Sequence, residues 1–146
     1  RYANANSVFL VDAQMMGCDL SYSDFSRSNL IRANLTASAM LQATFNEARL
    51  DSSIVDSCVM TNATFEDASL EFSRFRGTYA NGANFSRAKL RAARFENATL
   101  DSAIFDGADI SYATFLAGSL RGARFVNTIR EHTVFVGTDT AGVIWR

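Results

Sequence analysis

The chain has 146 residues with 14 basic and 15 acidic side chains, and its net charge of −1 supplies no overall field for steering a nucleic acid or an anionic membrane. It contains no proline, eight dispersed glycines and two cysteines, so no segment reads as a hinge or linker. No apolar run approaches the roughly 18 residues needed to span a bilayer, which argues against membrane insertion. The chain begins at Arg1 rather than Met, so an upstream targeting segment or a further domain stays open, and the compartment is not written in the residues.

From Leu10 onward every fifth residue is apolar as far as Phe125, and within that beat lies a longer one of twenty. Taken in chain order, four columns emerge. The first is Leu10, Leu30, Leu50, Leu70, Leu90, Ile110; the second is Met15, Leu35, Val55, Phe75, Phe95, Phe115, Phe135. The third is Leu20, Met40, Met60, Ala80, Leu100, Leu120; the fourth is Phe25, Phe45, Phe65, Phe85, Phe105, Phe125, with Trp145 on the same beat. Two residues before each large residue sits a small one, from Ala13 and Cys18 through Cys58 to Ala123, never larger than Thr.

A five-residue beat fits neither ordinary element. On an α-helix, positions five apart differ by about 140°, so the apolar residues would scatter around the circumference. On a flat strand they would point to opposite faces, whereas residues two apart share a face. Both facts are met if each five-residue unit is a short strand-like side, with its small and large residues inward, followed by a quarter-turn corner. Four sides close a square of twenty residues, and stacking coils at one strand spacing of roughly 4.8 Å turns the Phe25 to Phe125 column into a ladder. The length then allows about seven coils in a rod of roughly 35 Å, a single all-β solenoid domain over residues 1–146. Ala80 is the one central position without bulk: either the coil stays regular or its corner distorts to bring Tyr79 inward. The pattern loosens at Arg130 and Thr140, and residues 128–146 read as a closing coil with Trp145 as its cap. An incomplete cap predicts end-to-end pairing of two copies.

Units such as ANLTA, ATFNE, ANFSR, ARFEN and ADISY resemble the pentapeptide-repeat family, in which a small residue, an Asp or Asn and a central Leu or Phe precede two polar positions. The resemblance covers residues 8–138 in one frame. It implies a right-handed quadrilateral β-helix. Many units place Thr, Arg, Ser or Ile where the family prefers Asp or Asn, which predicts a weakened polar corner over an intact core.

Little chemistry stands out. Cys18 and Cys58 share an inward column two coils apart, roughly 9 to 10 Å between Cα atoms and beyond disulfide reach, so both are expected free and buried. His132 stands alone in an outward position and reads as solvated; the abundant Ser and Thr occupy the small column or corners, where they serve turns rather than a catalytic base. No cofactor, no metal site and no enzymatic role is expected. Outward columns are the places left for recognition: Arg74 and Arg94 stack in one column with Arg76 beside them, opposed by Asp56 and Glu96. Ile54, Val59, Tyr79, Ala39 and Leu41 form an outward apolar group, and Phe72 and Tyr112 flank Ala92 in a smaller one. The reading is a noncatalytic structural or interaction module presenting flat faces to a protein partner of unknown identity. The alternative comes from the family: some members mimic duplex DNA and protect type II topoisomerases such as gyrase, which requires a strongly acidic rod that a net charge of −1 does not supply. Direct nucleic-acid binding ranks lower, because no continuous basic stripe with exposed aromatics is present.

Overall fold

A computed structural model describes residues 1–146 as a right-handed quadrilateral β-helix. Parallel bridges join residues 20 apart, from Asn4↔Asp24 to Arg124↔Ile144. Only on one side do the bridges lengthen into strands: β1 (Arg94–Glu96), β2 (Thr114–Leu116) and β3 (Val134–Val136), paired parallel in that order. The rest of the coil is corner and bridge, yet its backbone polar groups are engaged in 97 main-chain hydrogen bonds, so the scarcity of strand is not a scarcity of pairing. Each central residue donates its N–H one coil onward, as Phe25 does to Thr44 at 2.7 Å, and the residue before it donates one coil back, as Asp24 does to Ala3 at 2.9 Å.

The corners have one backbone solution, repeated. At most corners the small residue donates its N–H to the central carbonyl three residues earlier, as Ala13 does to Leu10 at 3.1 Å. The residue just before the small one always lies in the left-handed region, from Tyr2 (φ 54) to Gly142 (φ 70). Twenty-two of these residues are not glycine, and each L-residue there costs about 1–2 kcal/mol. The conformation persists because the same residue donates to the next coil, as Arg27 does to Asn46 at 2.9 Å.

The weakened polar corner expected from the missing Asp and Asn residues is replaced by a second device. Where Asp or Asn precedes the central residue, its carboxylate or amide oxygen accepts the N–H two residues on, as in Asp24 with Ser26 (2.8 Å) and Asn34 with Thr36 (3.1 Å). Where Thr64, Ser69, Arg74, Thr99, Ser119 or Arg124 stands instead, the same N–H is capped from the coil below. Asn46 caps Glu66, Asp51 caps Glu71, Asp56 caps Arg76, Asn81 caps Asp101, Asp101 caps Arg121 and Asp106 caps Val126, all at 3.0 to 3.1 Å. The capping Asp or Asn has moved eighteen residues back in sequence and one strand spacing in space.

Inside, two aromatic ladders interlock. Phe25, Phe45, Phe65, Phe85, Phe105, Phe125 and Trp145 stack in series with centroids 4.7 to 5.2 Å apart. From the opposite side, Phe75, Phe95, Phe115 and Phe135 stack at 4.6 to 4.9 Å. The two ladders meet edge to face near 6 Å, as Phe85 does with Phe95 at 6.2 Å and 81°, an arrangement that places ring edges against ring faces. Ala80 is buried with its corner bond intact (Ala83 to Ala80, 3.1 Å) and Tyr79 is exposed, so the coil there stays regular. Toward the ends the core opens: Leu10, Met15 and Leu20 at one end, and Phe135, Val143 and Trp145 at the other, are only partly buried. Trp145 lies on Phe125 at 5.0 Å, with Arg130 over its outer surface at 5.0 Å.

From Cys58 onward, corners that follow the Phe95 side depart from the rule, whereas Ser38 still donates its N–H to Leu35 at 3.1 Å. At Cys58, Thr78 and Thr138 the side chain donates to the carbonyl of Leu35, Val55 and Phe115 one coil back, and the usual N–H bond is missing. Gly118 occupies the same column with no room for a side chain, since a Cβ there would sit 2.3 Å from the carbonyl oxygen of Ala98. Gly118→Ala is therefore expected to destabilise the rod by about 2–3 kcal/mol through backbone displacement. Gly17→Ala, which meets nothing within 4 Å and has φ 65, should cost only the left-handed strain of about 1 kcal/mol. Thermal unfolding followed by circular dichroism ranks the two, and equal losses would contradict the steric account.

Candidate interaction face

The side bearing Ile54, Arg74 and Arg94 collects the features that the other three sides lack. The bridges Ile54↔Arg74 and Arg74↔Arg94 stack these residues in one outward column, and β1, β2 and β3 continue it through Thr114 and Val134. One corner column runs Ser52, Phe72, Ala92, Tyr112 and His132; the other runs Asp56, Arg76, Glu96, Leu116 and Val136. Between them lies the one surface depression of the rod, about 450 Å³, lined by Ser52, Ser53, Ile54, Phe72, Arg74, Ala92 and Arg94.

Its walls follow from the repeat. Small inward residues keep the floor shallow, Phe72 projects from a corner with 61% of its surface exposed, and Ala92 above it leaves a gap where a ring would otherwise stand. Tyr112 and His132 come next in the column, their ring centroids 5.0 Å apart and their planes tilted by 33°, and His132 is exposed as the sequence predicts. Arg91 lays its guanidinium on Tyr112 at 4.7 Å. The hydroxyl of Ser53, on a residue 1% exposed in the wall of the depression, has no hydrogen-bond partner.

Charges on this side are unevenly matched. Arg74 pairs with Asp56 at 2.7 Å, and the carboxylate of Asp56 also takes the Arg76 N–H at 3.0 Å. That pairing raises the Arg74 guanidinium pKa further above its ordinary value, chiefly through the hydrogen bond. Arg76, Arg91 and Arg94 form no ion pair, so the expected opposition of Arg94 by Glu96 is not made. Most other arginines pair coil to coil, as in Arg32–Asp12 at 2.6 Å and Arg87–Asp67 at 2.8 Å, where the guanidinium holds the Asp67 carboxyl below its ordinary range, while Arg49, Arg130 and Arg146 also form no ion pair.

The apolar group containing Val59, Tyr79 and Leu41 lies around the corner on the adjacent side. Ala39, Val59 and Tyr79 are bridged in one column there, Val59 and Tyr79 exposed and Leu41 half-buried, with the Asp56 and Ser57 corner separating them from Ile54. The sequence periodicity places Phe72, Ala92 and Tyr112 in one outward column, but it does not reveal that Phe72 and Ala92 border a depression shared with Ile54, Arg74 and Arg94.

The cysteines differ from one another. Both are free, but only Cys58 is buried; Cys18, in the first described coil, is half-buried. Cys58 donates its thiol to Leu35 at 2.9 Å, and burial pushes that thiol up to about 11. No cluster of three or more histidine, cysteine or acidic side chains is placed to hold a metal ion, and no helix is long and apolar enough to cross a membrane.

The chain belongs to the pentapeptide-repeat family: the family model for a pentapeptide repeat region matches residues 48–125, and that for eight-copy pentapeptide repeats matches 1–30, 13–51 and 28–67. Its fold is similar to trypsin-treated QnrB1, a plasmid-mediated fluoroquinolone resistance protein, with 21% identity over 98% of this chain and 77% of that one and a TM-score of 0.53. The pentapeptide-repeat protein Rfr23 from the cyanobacterium Cyanothece 51142 is 19% identical over 91% of each chain, with a TM-score of 0.49. No curated protein sequence matches the chain.

The thiol contrast is measurable. In the native protein at pH 8, one thiol, Cys18, is expected to react readily with an aromatic disulfide reagent, while Cys58 stays protonated and inaccessible; in denaturant both should react. Rapid modification of Cys58 in the folded state would show that its coil opens.

Proposed function

We propose that this protein is a noncatalytic interaction module that presents the Ile54–Arg94 side to a protein partner. The observation that carries the reading is the coincidence, on one side, of the rod's depression, the exposed Phe72 ring, a run of strand and arginines without acidic partners. Exposed apolar groups beside unneutralised guanidinium groups are what an interface core and rim need, since arginine and aromatic anchors dominate recognition. The surface extends around the corner through Arg76 to Val59, Tyr79 and Leu41. Solenoid sides of this kind recognise partners through broad, stiff surfaces whose ordering cost has already been met in folding.

A second reading is favoured by fold likeness to a fluoroquinolone resistance protein: protection of a type II topoisomerase by mimicry of DNA. Mimicry asks for a continuous acidic surface, whereas here acids alternate with arginines on successive coils in Arg27–Glu47, Arg87–Asp67, Arg124–Asp106 and Arg121–Asp139. In a gyrase supercoiling assay containing a fluoroquinolone, no protection is expected at micromolar protein; protection would install the second reading in place of the first.

Immobilised protein should retain a discrete partner from an extract of its source. The double substitution Arg74→Glu, Arg94→Glu should cut that retention by about tenfold or more, while Thr44→Glu, Thr64→Glu on the opposite side leaves it unchanged. Equal retention by both variants would remove the Ile54–Arg94 side as the interface.

A further inference from the structure

Resting on the interaction reading above, we infer that the depression at Phe72 and Ala92 receives one specific element of the partner: an aromatic side chain flanked by carboxylates in an acidic peptide segment. Three observations converge on this occupant. The first is the interrupted column. Phe72, Ala92, Tyr112 and His132 occupy equivalent corner positions, with φ 58, 55, 60 and 54, so the backbone carries rings there without change. Stacked rings elsewhere in the rod sit 4.6 to 5.2 Å apart, and Tyr112 and His132 keep that spacing at 5.0 Å. Tyr112 is already faced by His132 and by the Arg91 guanidinium. Phe72 has no ring or cation on it, and its exposed surface, Ile54 and the methyl of Ala92 form the apolar lining. A ring supplied from outside would stack on Phe72 where the chain's own column leaves a methyl group.

The second observation is charge. The guanidinium groups of Arg74 and Arg94 border the same depression, and only Arg74 has a carboxylate partner. Arg76 and Arg91 lie on either side, also without ion pairs, so a group entering between them meets donors in excess of acceptors. Bidentate arginine-to-carboxylate pairing gives such a site its orientation. The third observation is Ser53, whose hydroxyl in the wall is one of two buried side-chain polar atoms in the protein left without a partner. An unsatisfied buried hydroxyl is uncommon in a finished interior, and here it lies at a site that other features mark as open. A nucleotide offers a ring and an anion too, but the surrounding sides carry acids paired to their arginines and no basic track for a phosphate backbone, so the peptide is the better fit.

The test uses the whole chain with N-acetyl-Glu-Trp-Glu-amide as probe, read by chemical-shift changes in nitrogen-15-labelled protein. Binding is expected with a Kd on the order of 1 mM, with the largest shifts at Phe72, Ala92 and Arg94. The charge-free probe N-acetyl-Gln-Trp-Gln-amide and the ring-free probe N-acetyl-Glu-Ala-Glu-amide should each bind about fivefold more weakly or worse. Ala92→Tyr supplies the missing ring from the chain itself; it is expected to keep or raise the thermal midpoint and to weaken the first probe about tenfold. Arg94→Gln should weaken the first probe and leave the charge-free one unaffected.

Binding of all three probes with equal affinity, shifts centred away from Phe72, or unchanged affinity in Ala92→Tyr would overturn the assignment. So would preferential binding of a short single-stranded oligothymidine. If the probes fail while Arg74→Glu, Arg94→Glu still abolishes partner retention, the interaction reading stands and the ring-and-carboxylate occupant falls. If the probes bind as expected while that variant retains its partner, the site is a peptide site and the larger interface lies elsewhere.

Discussion

Each side chain in this rod has a neighbour of equivalent position one hydrogen-bonded strand spacing above and below it. That distance, near 5 Å, is wider than graphite-like contact but close enough for rings to lie in register and for arginine to reach an acid on the next coil. Stacking is therefore the condition that the whole molecule meets at once. Phenylalanine above phenylalanine leaves no void, and the second ladder of Phe75, Phe95, Phe115 and Phe135 locks into the first edge to face. A change of size in one column is felt by the coil on either side, because interiors at crystal-like density have little slack. Ala80 shows how much the backbone dominates: with its own bulk missing, the corner keeps its hydrogen bond and Tyr79 stays outside.

The corners obey the same condition by a different route. A left-handed residue at every corner is costly for tyrosine, phenylalanine or arginine, and an isolated five-residue turn would not hold it. In the rod, the strained residue donates to the next coil, and at many corners the N–H also finds a local Asp or Asn or one supplied from the coil below. Asp56 does two things at once, capping Arg76 and pairing with Arg74. The family pattern can thus lose its preferred residue at Arg74 or Arg124 without losing the interaction, provided that an acid stands eighteen residues earlier, as Asp56 and Asp106 do.

Because the interior is spent on stacking, recognition falls to what the columns expose. On the other three sides most arginines pair with acids on neighbouring coils, while Arg49 and Lys89 stay unpaired. The Ile54–Arg94 side is different because its following corners give up the usual N–H bond, its bridges lengthen into β1, β2 and β3, and its corner column alternates large and small. A depression, an exposed ring and unpaired guanidinium groups arise there together. The pentapeptide-repeat fold accommodates such local differences without changing register, which is how one architecture can present unlike surfaces.

The five- and twenty-residue beats were enough to read the square coil, the parallel stacking and the membership of Phe25 to Phe125 in one inner column. They sufficed because a stacked solenoid makes every inward position answer to its own sequence neighbours at a constant offset, so periodicity in the chain is proximity in space. The same beat placed Arg74, Arg94 and Ile54 together outside. What it could not reveal depended on geometry between columns: the edge-to-face meeting of opposite ladders, the corner caps that cross coils, the half-exposure of Cys18, and the tilted ring pair of Tyr112 and His132. The Phe72–Ala92–Tyr112 column was legible in the sequence, but the open space at Phe72 belongs to that second group, because it exists only where the corner column meets the adjacent side bearing Ile54, Arg74 and Arg94.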